Sequence, residues 1–199
     1  VVEMAKNLGV TSNIPNRPAI ALGAVEITVQ EMVAAFSTFA NEGVYIKPQL
    51  ITKIEDKNGV VIYQGVEESH DVVNKDVAYS VIKLMEGVTE SGTGSRLRWA
   101  ASAPSNFLTG VPYNIKGPVA GKTGTSQNNS DGWFIGMVPN LAAGVWVGNE
   151  DRSAHFESTN MGQGATTALP IYGIFMRKCL ADKTLTISQE PFKRPANMS

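Results

Sequence analysis

Apolar residues change period several times along this 199-residue chain, and each change marks an element. Val1, Val2, Met4, Ala5 and Leu8 predict a short helix stopped by Gly9. Residues 11–18 carry two prolines and two asparagines and read as loop. Thr28-Val-Gln-Glu31 is a capping box, and Val29, Met32, Val33, Phe36 and Phe39 then share one helical face up to Gly43. The period next falls to two. Residues 49–55 alternate, Asp56-Lys-Asn-Gly59 turns, and Val60-Val-Ile-Tyr63 returns, which predicts a β-hairpin. Asn74 caps a second helix with Val77, Val81, Leu84, Met85 and Val88 as its apolar face, ending in Glu90-Ser-Gly-Thr-Gly94.

Residues 96–118 show no regular pattern and contain Pro104, Pro112 and Pro118; the expectation is a long loop, either a lid or an insertion. A strand follows at 119–126. Residues 132–138 and 141–147 are apolar on both faces and separated only by Pro139-Asn140, so they read as antiparallel neighbours covered on each side. Residues 150–152 and 162–164 read as polar loop. A last helix from Thr167 buries Leu169, Tyr172, Phe175, Met176 and Cys179, with Pro170 tolerated in its first turn. The pattern as a whole predicts an α+β sandwich, an antiparallel sheet with helices on both faces. Residues 1–181 form its body and 182–199 a polar tail on the surface.

Composition narrows the function classes. The chain is 43% hydrophobic and 18% charged with a formal charge of −1, which suits one globular unit and, without a basic stripe, argues against nucleic acid as a partner. One cysteine, Cys179, allows no internal disulfide, and two distant histidines, His70 and His155, suggest no metal site. The sequence starts at Val1 already in a helical pattern, so the expectation is a piece of something longer.

The candidate chemistry sits in Val119-Ala-Gly-Lys-Thr-Gly-Thr-Ser126. Lys122 lies mid-strand between the hydroxyls of Thr123 and Thr125, an arrangement suited to an anionic ligand lying along the backbone. Gly121 and Gly124 leave room for another chain to approach. Two plainer readings compete. A lysine often protects an ordinary edge strand. Residues 117–123 also look like a phosphate-binding loop, but that motif needs one more residue and a following helix, and Gly124, Asn128, Asn129 and Gly132 oppose helix. A nucleotide titration separates that reading.

Seven collinear segments resemble the transpeptidase domain of class A, bifunctional penicillin-binding proteins. They are Ala21-Leu-Gly-Ala-Val-Glu26, Phe39-Ala-Asn-Glu-Gly43, Gly87-Val-Thr-Glu-Ser-Gly-Thr-Gly94, Gly121-Lys-Thr-Gly-Thr125, Trp133-Phe-Ile-Gly136, Gly144-Val-Trp-Val-Gly148 and Gly162-Gln-Gly-Ala165. The resemblance implies a fold similar to serine β-lactamases. It also implies a serine D,D-transpeptidase that binds peptidoglycan stem peptides and β-lactams, needs no cofactor or metal, and works at the extracytoplasmic face of the inner membrane behind an upstream anchor. It assigns Lys122 and Thr125 to catalysis and Thr123, Gly124, Thr125 and Ser126 to substrate binding. Trp133 is expected in the core.

The family's other motifs, Ser-x-x-Lys and Ser-x-Asn, belong upstream of the region matched by residues 1–7. Ser80-Val-Ile-Lys83 and Ser126-Gln-Asn128 fit those patterns but stand in the wrong order. The chain is therefore expected to be the C-terminal part of the domain, inactive without its N-terminal part. The family's sheet carries two further strands beside residues 141–147, so a competing expectation is an inactive module that pairs or dimerises through that exposed edge.

Overall fold

In the computed structural model, residues 1–100, 112–196 and 198 are described. Three long antiparallel strands form the central sheet in the order β5-β6-β7: β5 (Ala120–Thr125), β6 (Asp131–Val138) and β7 (Leu141–Gly148). Earlier in the chain come helix α1 (Val2–Asn7), helix α2 (Val29–Ala40) and helix α3 (Lys75–Glu90). Four short strands, β1 (Val44–Ile46), β2 (Lys53–Glu55), β3 (Val61–Gln64) and β4 (Ser69–Asp71), lie between α2 and α3. A short helix α4 (Thr159–Gly162) and helix α5 (Ala168–Ala181) follow the sheet.

The predicted two-faced architecture holds. Phe134 and Val138 point from β6 toward α5 and pack with Leu169, Tyr172 and Met176. Met137, one residue out of phase, faces Ile82 and Met85 of α3, with Phe36 and Phe39 of α2 packed alongside. This alternation is the period-two rule of a strand buried on both sides. Gly136 is held to that residue type because a Cβ there would strike the Tyr172 ring.

The capping box of α2 forms as read. The Thr28 hydroxyl accepts from the Glu31 amide at 3.2 Å, and the Glu31 carboxylate accepts from the Thr28 amide at 2.9 Å. The predicted hairpin is β2–β3, with Ile54 opposite Tyr63 and a bulge at Ile54/Glu55; both strands are exposed.

Several expectations need correction. Met85 of α3 is buried as expected, but Val77 and Leu84 are exposed, and Ala78, Ile82, Glu86 and Thr89 are buried instead. Phe175 of α5 is exposed, while Leu169, Tyr172, Met176 and Cys179 are buried as expected and Gly173 faces inward with them. Strand β7 is half-buried rather than enclosed, because it is an outer strand of the sheet. Strands β1 and β4 pair antiparallel, Tyr45 opposite His70, a ladder the hydropathy pattern missed. The tail is not merely superficial. Phe192 is 5% exposed within the α2–α3 core layer, and Lys193 pairs with Glu42 at 2.8 Å. Part of the 96–118 stretch lies outside the described residues; its first three residues belong to the 3₁₀ turn Ser95–Arg98.

Candidate active site

Strand β5 pairs with β6 along one edge only, and among the described residues no strand pairs with the other edge. Backbone alternation decides which groups face that open edge. The Ser126 amide donates inward to Asp131 O at 3.1 Å. Residues one step away must therefore turn their N–H and C=O outward. The outward set is Val119, Gly121, Thr123 and Thr125. Two contacts agree with this parity. The Thr89 hydroxyl of α3 donates to Val119 O at 2.6 Å, and Lys122 Nζ donates to Thr123 O at 2.8 Å.

The open edge thus gathers an exposed ammonium from Lys122, the Thr123 and Thr125 side chains and the outward amide of Thr125. Lys122 stands opposite Ile135 in the register, and its ammonium reaches round to its own strand's edge. The Thr123 hydroxyl meets the hydroxyl of Thr93 at 2.7 Å; Thr93 lies in the turn after α3. The Thr125 hydroxyl accepts from the Gly164 amide at 3.1 Å. Ser126 is turned inward. Its hydroxyl meets Ser130 at 2.9 Å and accepts from the Asp131 amide at 3.0 Å, so it braces the β5–β6 turn. Gly124 lies against Trp133, where a Cβ would sit 3.1 Å from the Trp133 Cβ. Trp133 is half-buried beside Trp146 with ring centroids 6.5 Å apart, so it packs at the sheet surface rather than in the expected core.

Residues 162–164, read as polar loop, end α4 and lead into a turn that is packed as a buttress. Gly162 and Gly164 are buried, and a Cβ at Gly164 would run into the carbonyl oxygens of Gly124 and Trp133. Behind the strand, Arg98 is half-buried and donates to Ile115 O at 3.1 Å, to Gly117 O and to the Thr89 hydroxyl at 3.2 Å. It fastens the segment entering β5 to the end of α3. Sequence reasoning assigned no role to Thr93, Gly164 or Arg98. For the first two, the signal lay in the glycine-flanked motifs at 87–94 and 162–165.

The Ser80–Lys83 pair lies on α3. The Ser80 hydroxyl donates to Asp76 O at 2.7 Å, and Lys83 pairs with Glu86. Neither residue turns to the other, so the pair lacks the geometry of a nucleophile with its base. No group of three or more His, Cys, Asp or Glu side chains among the described residues could hold a metal ion. No helix among them is long and apolar enough to cross a membrane.

Residues 9–169 match the model of the penicillin binding protein transpeptidase domain. The chain belongs to the penicillin-binding protein transpeptidase family. It is 33% identical over 177 residues to penicillin-binding protein 1A of Aquifex aeolicus, covering 89% of this chain and 22% of that protein. It is 30% identical over 191 residues to penicillin-binding protein 2D of Bacillus subtilis, covering 96% and 26%. The chain thus spans about a quarter of these relatives or less.

The fold agrees with that of the crystal structure of penicillin-binding protein 1A from Haemophilus influenzae. The TM-score is 0.80 at 21% identity, over 98% of this chain and 32% of that one. The structure of PonA1 from Mycobacterium tuberculosis in complex with penicillin V aligns with a TM-score of 0.72 at 24% identity, over 97% and 51%. The α+β transpeptidase fold of the chain is therefore that of its family.

Proposed function

We propose that this chain supplies one wall of the active site of a D,D-transpeptidase that cross-links peptidoglycan stem peptides and is trapped by β-lactams. The nucleophilic serine would come from outside these 199 residues. The observation that carries the reading is the open edge of β5, where Lys122, Thr123 and the outward Thr125 amide stand together. A stem peptide ending in D-Ala-D-Ala lays its backbone along this edge by strand addition. Its terminal carboxylate is an acceptor for the Thr123 and Thr125 hydroxyls and a counter-charge for Lys122, an attraction that strengthens as the cleft loses water.

The serine oxygen bonds the penultimate carbonyl carbon. The Thr125 amide stabilises the oxygen anion, the bond to the last D-alanine breaks, and that amine leaves with the serine's proton. An amine of a neighbouring stem then attacks the ester and releases the serine. Loss of one such oxyanion donor costs about 100- to 1,000-fold in rate. In this reading the parent protein works at the extracytoplasmic face of the membrane.

The test is Lys122→Ala in the full-length protein, read by covalent labelling with a fluorescent penicillin. Labelling should be lost while the melting temperature stays put. A variant labelled at the wild-type rate would remove Lys122 from the mechanism. The isolated chain should not acylate at all, and a penicilloyl group mapped to Ser80 would overturn that expectation.

One observation favours a second reading. The outer edge of β7 has no strand partner among the described residues, and Trp146 on it is 37% exposed. An inactive module pairing through this edge would dimerise. Light scattering showing a clean monomer disfavours it.

A further inference from the structure

Thr93 lies outside the lysine-threonine-glycine strand, yet its hydroxyl is 2.7 Å from that of Thr123. We infer that Thr93 is a further substrate-binding residue, pairing with Thr123 in a two-hydroxyl clamp for the terminal carboxylate of the substrate. The inference rests on the reading of β5 as the wall that binds this carboxylate.

The backbone holds Thr93 in place. The Gly92 amide donates to Gly87 O at 3.1 Å and the Gly94 amide to Val88 O at 2.9 Å, so the chain folds back tightly over the end of α3. A Cβ on Gly92 would approach Val88 Cα to 2.9 Å, and one on Gly94 would approach Val88 O to 3.2 Å. The same helix is tied to the start of β5 by Thr89, whose hydroxyl donates to Val119 O. Two contacts therefore run in parallel, Thr89 to residue 119 and Thr93 to residue 123. The first is buried and structural. The second is exposed.

Hydroxyl chemistry then fixes what the pair offers. Each hydroxyl has one hydrogen and two acceptor positions. One hydrogen is used between the two oxygens, so the pair presents the other outward. That second hydrogen is polarised by the first bond, whichever residue donates it. An incoming carboxylate, an acceptor only, completes the chain beside the Lys122 ammonium. Without Thr93, the Thr123 hydroxyl is left to rotate and loses its orientation toward the ligand.

The experiment uses the full-length protein with Thr93→Val, Thr93→Ser and Thr123→Val. It reads the second-order acylation rate with benzylpenicillin and with its methyl ester, which lacks the carboxylate charge. Thr93→Val should slow benzylpenicillin about tenfold or more, the scale of one hydrogen bond to a charged group. The methyl ester should change less than about twofold, and Thr93→Ser should restore the rate for the free acid. The melting temperature should not move in either variant. Wild-type acylation by Thr93→Val, or equal slowing of acid and ester, overturns the inference. If Thr123→Val loses activity while Thr93→Val does not, only this inference fails. If Thr123→Val is also silent, the carboxylate-binding reading of β5 fails with it.

Discussion

Gly164 is the sharpest place to perturb the site from behind. It belongs to the loop before α5, and its amide donates to the Thr125 hydroxyl at 3.1 Å. A methyl group there would overlap the carbonyl oxygens of Gly124 and Trp133 and lie 3.0 Å from the Trp133 amide nitrogen. These are ladder atoms between β5 and β6, where Gly124 stands opposite Trp133. They cannot swing away like the end of a side chain. Relief requires the loop or β5 to move on the order of 1 Å to regain ordinary contact distance. Overpacking of this kind costs about 1–3 kcal/mol. For a protein of this size each kcal/mol shifts the midpoint by about 2–4 °C, so Gly164→Ala should melt roughly 2–12 °C lower. Because the strain falls on the backbone next to Thr125, β-lactam acylation should fall together with stability. The comparison is Gly87→Ala in α3, where a Cβ meets nothing within 4 Å. Alanine there should raise stability by about 0.5–1 kcal/mol, since glycine is costly inside a helix. Differential scanning calorimetry, together with penicillin labelling of both variants in the full-length protein, decides the matter. Gly164→Ala with an unchanged midpoint and unchanged labelling refutes the buttress.

Three further outcomes are expected. The Glu31 carboxyl is opposed by burial, but hydrogen bonds from Ser12, Thr28 and Thr11 outweigh that and hold it far below the usual carboxylate range. Its folded value lies under an unfolded value of about 4.3, so its contribution is complete above that pH and is lost as pH falls toward the folded value. Glu31→Gln should destabilise the protein by about 1–3 kcal/mol at pH 7, and urea titrations should show the gap closing below about pH 4. Phe192→Ala should cost about 3–5 kcal/mol and expose the tail to limited proteolysis, because the ring is buried against α3 and β6. Tyr172→Phe should be neutral or stabilising by thermal melting. No hydrogen-bond partner meets its buried hydroxyl among the described residues, and burial holds its pKa well above the usual phenol range, the Cys179 thiol adding to the rise.

What the sequence disclosed follows from how local each signal is. Thr28 and Glu31 are three residues apart and cap one helix, so their bond is readable from a motif. The same Glu31 carboxylate also accepts from Thr11 at 2.7 Å and Ser12 at 2.8 Å, twenty and nineteen residues away, and nothing in the spacing announces that. The apolar face of α3 was misplaced for a related reason. Val77 and Leu84 satisfy the period, but the packed face includes Thr89 because an outward carbonyl of the chain entering β5, Val119 O, needs a donor. Glu86 is buried on the same side and pairs with Lys83. Periodicity ranks residues by hydrophobicity, whereas the neighbouring strand selects for hydrogen-bonding capacity too. Lys122 and its threonines stand out as candidates because a charge in mid-strand conflicts with local preference, and such conflicts point to sites. Thr93 has no such conflict. A threonine between glycines in a turn is ordinary, and its partner lies thirty residues on.

An open strand edge is ordinarily a liability, since unpaired backbone groups invite any other chain. Here the edge of β5 is closed at one end and organised at the other. Thr89 satisfies Val119 O, and Arg98 fastens the incoming segment through Ile115 O and Gly117 O. Gly164 braces the far end through Thr125. What remains open is the short span from Lys122 to Thr125, and there the ammonium covers the Thr123 carbonyl. A second protein strand pairing at this span would have to displace the ammonium and bury it beside apolar side chains, which is costly unless a negative charge arrives with the strand. A peptide that ends in a carboxylate brings that charge at its tip. On the proposed reading, this edge would favour chain ends over chain interiors, because only a chain end brings the counter-charge that Lys122 requires.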